Sequence, residues 1–563
     1  MIKLELDDSR RLTGKSLLWD LPGAIIDVFV DDIDKQTVVD CWQRQVTRLL
    51  TAVNWPNEQV THRIFEDGVS LALSAPLDAL YAATEINEAA WSLTCDELLG
   101  HAKNVDHLCQ VLVKSLVQLI DDEVNPKLLA LINRAQAKGA PWLVDDDEFS
   151  LGFGRSVEIW PVDQLPDIEQ IDWAKYTKVP VAMITGTNGK STSVRLASEM
   201  VKHSGKRCGV TSTDFIRVAD TIIDKGDYSG PGGARMLLRN EAVEVALLEV
   251  ARGGILRRGL SIPRIDAALI TNIAEDHLGQ YGINTIEGLT ATKFVVAKAL
   301  DDQGTLVLNA DDAELVRYAE SVDKRKCWFS VEQTNPVLVE HLANGGAICF
   351  VRDGMMVYQD LQGTDEIIAV NAVPMTFDGA AKHNVQNALG AIALAKSLNI
   401  ANQSICDGLA EFRSDVNDNP GRGNVFEVDG AKIIMDFAHN EHSMRAIATT
   451  TVNMPSEQKW LMLSSAGDRT DEQIFSMSTA ALAMQPNQVV ITEVNEYLRG
   501  RAPDEVSGLI AQSVKAYGLD ESAIHFVPSP LVGAQLIKRK LKPGDLALIL
   551  VLSEREEIVK LLS

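Results

Sequence analysis

Apolar and polar positions fall into three blocks along the chain, each with its own rhythm. In residues 1–165, short apolar runs at Ala24–Val30 and Val69–Leu73 read as strands. Val105, Leu108, Leu112, Leu116 and Leu119 recur at three- and four-residue steps and predict a helix over Val105–Ile120. Strands and helices mixed in this way describe an α+β unit. Residues 178–415 change character. A buried strand at Val179–Thr185 leads through a Gly-containing turn into a helix from Ser191 to about His203. Further continuous apolar runs at Val245–Val250 and Ala267–Ile273 read as strands covered on both faces, so a mostly parallel sheet with helical crossovers is expected. Ala347–Tyr358 reads as a hairpin turning at Asp353-Gly354, within a small β insert near 345–375, and a helix Asn384–Leu398 closes the block.

Residues 420–563 alternate again. Strands at Lys432–Phe437, Leu461–Ser465, Gln488–Thr492, Ala523–Val527 and Leu546–Val551, each followed by a helical stretch, predict a doubly wound, Rossmann-like α/β domain. The turn-rich stretch Asp415–Asn424, with Asn419, Pro420 and Gly421, is the linker before it.

Composition removes several function classes. The chain has 563 residues, 46% hydrophobic and 23% charged, too many for one core and too apolar for disorder. No apolar run reaches the roughly 20 residues of a membrane span, and the first twenty residues lack an apolar signal core, so a cytoplasmic protein is expected. Seven cysteines without Cys-x-x-Cys spacing fit small core residues better than a disulfide framework or zinc site. A net charge of −25 argues against a nucleic-acid partner.

The candidate chemistry gathers at strand ends. Gly186-Thr187-Asn188-Gly189-Lys190-Ser191 follows a strand and opens a helix, the setting of a phosphate loop. Glycines bring backbone amides close to an anion, Lys190 neutralises β/γ-phosphate charge, and Ser191 can ligate Mg²⁺. The loop is two residues shorter than the general Walker pattern, so a Gly-rich turn with a surface lysine is the bland alternative. Glu249 and His277 weigh against that alternative. Both come at or just past strand ends, where open α/β sheets bind ligands, and with Ser191 they form a candidate metal set.

These residues resemble the Mur ligase family. Thr185–Thr192, the Glu249 strand, Thr271–Leu278, Leu308–Asp312, His383–Ala388, Asn419–Arg422 and Asp436–Asn440 recur there in this order, over about residues 178–563. Gly226–Pro231, Ala234–Met236, Glu249–Arg257, Gly467–Arg469 and Leu498–Arg501 are similar to the second half of the cyanophycin synthetases within that family. The resemblance implies an ATP-dependent ligase in which an acceptor carboxylate takes the γ-phosphate and an amine displaces it. ATP and Mg²⁺ are the implied cofactors. Glu249 and His277 would hold metal; Lys293 matches a lysine carbamylated in many relatives, with Lys298 as fallback. Thr187, Asn188, Gly189, Lys190 and Thr192 would cradle phosphates beside Gly186. Asn384 and Asn387 would meet adenine, although Asn384 also fits a plain helix N-cap. Arg422 and Asp436 would reach ribose and phosphates; His439, Asp468 and Arg469 would face the acceptor or amine.

One departure limits the analogy. Cyanophycin synthetases carry an ATP-grasp domain between a first domain, which residues 1–165 resemble weakly, and the Mur-type part. Leu131–Trp142 and Ser150–Gly154 look like the lead into that domain, yet no room for it exists before residue 178. The expectation is therefore one ligation, adding an amino acid or amine to an acidic peptide-like acceptor, with a separate ATP-grasp ligase as candidate partner and a symmetric homo-oligomer as assembly. A muramyl- or folylpolyglutamate-type ligase and a nucleotide-binding subunit with reduced catalysis are the alternatives; intact Lys190, Ser191, Glu249 and His277 weigh against the latter.

Overall fold

The computed structural model describes residues 2–101, 105–260, 262–276 and 278–563, and for 105–107 the backbone alone. Strands Lys3–Leu12, Gly23–Asp31, Val60–Phe65 and Gly68–Ser74 form an antiparallel sheet in the order first, second, fourth, third. Helices Lys35–Ala52 and Leu80–Leu98 pack against it around Val28, Leu71, Trp42, Leu49 and Ile86, and Val105–Glu123 packs on those helices. The third helix forms where its periodicity puts it, but its buried side differs from the anticipated stripe. Cys109, Leu116 and Ile120 face the core, whereas Leu108 and Leu119 are exposed. The sequence repeat marks an apolar arc wider than the strip the neighbouring elements cover.

The central unit is built on a mixed sheet with, among the described residues, eleven strands. Seven run parallel in the order Cys208–Thr211, Val245–Glu249, Val181–Thr185, Ile265–Ile270, Leu300–Asn309, Arg325–Ser330 and Ala347–Arg352. Alternate residues of Val181–Thr185 enter two separate cores, Val181 and Met183 in one, Ala182 and Ile184 in the other, because helices cover both faces. The hairpin expected to turn at Asp353-Gly354 forms, but it extends this sheet rather than standing as a separate insert. Ala347–Arg352 pairs parallel with Arg325–Ser330, and Met355–Asp360 and Gly363–Ala369 continue antiparallel to the edge. Alternation shows which face is buried, not which strand lies alongside.

The C-terminal unit orders its strands Asn424–Val428, Ala431–Asp436, Leu546–Leu550, Lys459–Leu463, Gln488–Thr492, Ile524–Val527. All neighbours are parallel except the first pair. Helices Glu441–Val452, Asp471–Leu482, Glu505–Tyr517, Pro530–Lys540 and Arg555–Leu562 follow the five parallel strands in turn, the doubly wound pattern. The opening strand was not anticipated; it starts at Asn424, the last linker residue. No helix among the described residues is long and apolar enough to cross a membrane. Five of the seven cysteines are buried and all are free.

Candidate active site

The strands Val245–Glu249, Val181–Thr185 and Ile265–Ile270 are adjacent, so their carboxyl ends deliver three segments to one rim. The loop 186–189 is fixed there by the segment after Ile270. Thr187 N donates to Asn272 O (2.9 Å) and Asn188 N to Asn272 Oδ1 (2.9 Å). In return Thr271 Oγ1 and Asn272 Nδ2 donate to Asn188 O (2.6 and 3.0 Å). Gly189 ends the loop at φ 83° and caps the helix Lys190–His203. A side chain there would also meet Asn387, whose Cγ lies 3.1 Å from where a Cβ would be.

Lys190 Nζ donates to Gly186 O and Thr187 O, 3.0 Å each, which folds the ammonium over the loop. Burial pushes its pKa below the ordinary lysine value, against the pull of Glu249 and Asp276. Behind it, Ser191 Oγ donates to Glu249 Oε1 (3.1 Å). Thr213 Oγ1 donates to the same oxygen (2.8 Å) and Thr213 N to Oε2 (3.3 Å). Glu249 is only 2% exposed. Two hydroxyls and a carboxylate make a compact hard-oxygen set, the chemistry a Mg²⁺-sized cation requires. Across the cleft stands Lys293, on the helix Ile286–Lys298 and buried. Burial pushes its pKa well below the ordinary value, and Lys190 and Arg252 add to this while Asp276 opposes it.

The C-terminal unit closes the other side. Asn440 Nδ2 donates to Asn188 Oδ1 (3.0 Å), and Asn188 Nδ2 donates to Asn440 Oδ1 (3.3 Å). Arg469 Nη2 pairs with Asp276 Oδ1 (3.1 Å), and His439 Nε2 lies 4.0 Å from Asp276 Oδ2. Arg422 sits over the Phe437 ring at 5.0 Å. Burial raises the Asp436 carboxyl to about 6, with Arg422 opposing. The cleft of about 390 Å³ is lined by loop 186–192, Glu249, Lys293, Asn384, Asn387, Arg422, Asp436 and His439 together.

Residues 184–395 match the Mur ligase middle domain, and residues 421–551 match the Mur ligase glutamate ligase domain, between them more than half of the chain. The chain belongs to the Mur ligase family. Cyanophycin synthetase of Geminocystis herdmanii is 34% identical over 368 residues, 65% of this chain and 41% of that protein. This family member thus spans less than half the length of that curated relative. UDP-N-acetylmuramoylalanine–D-glutamate ligase of Pelotomaculum thermopropionicum is 25% identical over 68% of this chain and 73% of its own length. Among solved structures, a bifunctional folylpolyglutamate synthase/dihydrofolate synthase with Mn, AMPPNP and L-glutamate bound superposes with a TM-score of 0.50. It has 16% identity and covers 68% of this chain and 89% of its own, a likeness of fold.

The remaining anticipated residues are placed as follows. Thr192 is buried and accepts from Asn419 Nδ2 (3.3 Å). Asn384 is the third residue of the helix Lys382–Ser397, so it is not an N-cap; its Nδ2 donates to Met375 O (2.8 Å) and its Oδ1 accepts from Asn387 (3.3 Å). Asp468 is exposed, and neither it nor Arg469 lines the cleft; Arg469 is buried and reaches the cleft wall through Asp276. Lys298 is no substitute for Lys293: its Nζ is drawn away to Ser16 O (2.9 Å) and Asp20 (3.1 Å). His277 lies outside the described residues. Thr213, Asp227, Ser229, Arg252 and His442 also line the cleft and were not assigned from sequence. The signal for Thr213 was its position two residues past the parallel strand Cys208–Thr211.

Proposed function

We propose that this Mur ligase family member is an ATP-dependent carboxylate–amine ligase, releasing ADP and phosphate and working through an acyl phosphate. The observation that carries this is one cleft in which Lys190, the Ser191–Glu249 pair and buried Lys293 meet Arg422 of the linker and His439 of the C-terminal unit. Loop 186–192 would hold the ATP phosphates, with Lys190 turning from the loop carbonyls to the β/γ-phosphates. Arg422 and Asp436 would meet the ribose and phosphates, and Asn384 and Asn387 the base. An acceptor carboxylate oxygen attacks the γ-phosphorus and ADP leaves. An amine nitrogen then attacks the acyl carbon, phosphate leaves, and the nitrogen gives up a proton. Closing the cleft by Asn188–Asn440 and Asp276–Arg469 keeps water from the acyl phosphate.

For Mg²⁺, Ser191 and Glu249 would supply ligands, joined by His277; the ion would neutralise charge on the transferring phosphoryl group. Lys293 suits carbamylation: burial shifts it toward the neutral amine, whose nitrogen adds CO₂ and loses a proton to leave a carbamate within the electrostatic reach of Lys190 and Arg252. The acceptor is proposed as an acidic, peptide-like molecule and the nucleophile as an amino acid or amine, by analogy with the cyanophycin synthetase relatives. A homo-oligomer and a separate ATP-grasp partner belong to the same proposal. The test is phosphate release with Mg-ATP across the twenty amino acids and short aspartate- and glutamate-containing acceptors. Release that needs one acceptor–amine pair and vanishes in Lys190→Ala supports the reading. ATP binding with no pair-dependent release, even with an ATP-grasp ligase added, overturns it in favour of a binding subunit.

A further inference from the structure

The N-terminal sheet has no residue in the cleft lining, yet it grips the segment that forms one wall. Arg63, on the strand Val60–Phe65, donates from Nη1 to Gly282 O and from Nη2 to Tyr281 O, both at 2.7 Å. The Phe65 ring packs where Gly282 has no side chain, its Cγ 2.6 Å from where a Cβ would be. The Arg10 guanidinium lies 5.1 Å from the centre of the Tyr281 ring, and Arg257 Nε donates to Tyr281 OH (2.7 Å). Tyr281 is held at φ 54°, ψ 35°, a left-handed conformation that a side-chain-bearing residue keeps only where its surroundings impose it. The turn is closed on itself by Gly279 N to Ile283 O (2.9 Å).

This imposed turn carries Gln280 to the cleft, where its Oε1 accepts from Arg252 Nη2 (2.6 Å). Arg252 and Gln280 line the same cavity as Lys190 and Lys293. Contact therefore runs unbroken from Arg63 through the turn to a guanidinium facing the reaction site. Gln280 sets the direction of this guanidinium, whose planar fork matches a carboxylate in geometry.

We propose that Arg63 is a positioning residue of the active site, fixing the 279–283 turn so that Gln280 presents Arg252 to the carboxylate of the acceptor. The proposal rests on the ligase reading for its substrate and on the described contacts for its mechanics. Two arms separate these. In the first, hydrogen exchange of the full-length protein is compared between wild type, Arg63→Ala and Arg63→Lys. Arg63→Ala exchanges at least tenfold faster at 279–283, with the strands of the N-terminal sheet and the loop 186–192 unchanged; Arg63→Lys restores most of the protection. Unchanged exchange at 279–283, or loss spread over the whole N-terminal sheet, overturns the positioning role. In the second arm, with an acceptor–amine pair that the wild type uses, Arg63→Ala raises KM for the acceptor tenfold or more and leaves KM for ATP within twofold. Arg252→Lys does the same without altering exchange at 279–283. If both KM values rise together, or neither moves, the proposal falls. If the wild type joins no acceptor while the exchange result holds, the ligase reading fails and the acceptor clause falls with it.

Discussion

Gly189→Ala is the sharpest test of the nucleotide loop, because two separate costs can be worked from the geometry. At φ 83° any residue with a Cβ pays about 1–2 kcal/mol for the left-handed backbone. The new methyl would also fall on the Asn387 amide, 3.1 Å from Cγ and 3.3 Å from Nδ2. Asn387 cannot simply swing away, since it is buried on the helix Lys382–Ser397 and donates to Asn384 Oδ1. Overpacking of that kind costs about 1–3 kcal/mol. The ligand-free loop can escape by shifting, so the melting temperature changes little; bound phosphates force it back, and the cost appears in affinity. The sum, roughly 2–5 kcal/mol, weakens binding of a non-hydrolysable ATP analogue with Mg²⁺ by about 30- to 5000-fold. Isothermal calorimetry measures it directly. In an Asn387→Ala background the clash is gone and only the backbone cost remains, about 5- to 30-fold relative to Asn387→Ala alone. Affinity of Gly189→Ala within threefold of wild type refutes the loop assignment. An equal penalty in both backgrounds refutes the part given to Asn387.

Glu249→Gln keeps the bonds from Ser191 and Thr213 sterically but removes the charge, so Mg²⁺-dependent phosphate release should fall at least a hundredfold while melting shifts by only a few degrees; calorimetry at graded Mg²⁺ reads the lost affinity. Arg469→Ala leaves Asp276 without its closest partner from the C-terminal unit and should loosen closure, seen as a larger radius of gyration by small-angle scattering with ATP analogue bound; an unchanged radius counts against closure through this pair. ¹³C-bicarbonate should give a carbamate signal that is absent in Lys293→Ala and grows with pH, because the neutral amine is the reacting form. Asp436, raised to about 6 from 3.8, binds its proton more tightly folded than unfolded, so its contribution to stability declines as pH rises through about 4 to 6; in urea unfolding, wild type should lose stability relative to Asp436→Asn across that window, and the gap should then hold constant above about pH 7.

Much of the proposed nucleotide side of the cleft was legible because its residues sit at strand ends. A buried apolar run shows where a strand stops, and Lys190, Ser191 and Glu249 lie within a few residues of such stops. Adjacent parallel strands then bring their ends together without further information. The five strand-to-helix repeats after residue 430 were readable for the same reason: each is a local pattern. The exact buried face of the helix Val105–Glu123, where Leu116 is buried but Leu108 and Leu119 are not, and the pairing that joins the 347–360 hairpin to the large sheet lie at the next level, where the partner decides and periodicity is silent.

The closing contacts needed the fold outright. Asn188 meets Asn440 across 252 positions, and Arg469 meets Asp276 across 193. Asn440 also caps the helix Glu441–Val452, its Oδ1 accepting from Ser443 N, so one side chain fills both roles. Arg63 was hidden more thoroughly, since an arginine in an alternating edge strand reads as a solvated cation. Its two carbonyl acceptors are more than two hundred residues away, in a turn whose strained tyrosine makes no sense locally. Local rules break where distant parts of the chain impose a geometry, and here that breakage falls on the wall of the cleft. A strained turn held from outside needs the holder, which is why losing Arg63 should disturb the acceptor side of this site and spare the ATP side.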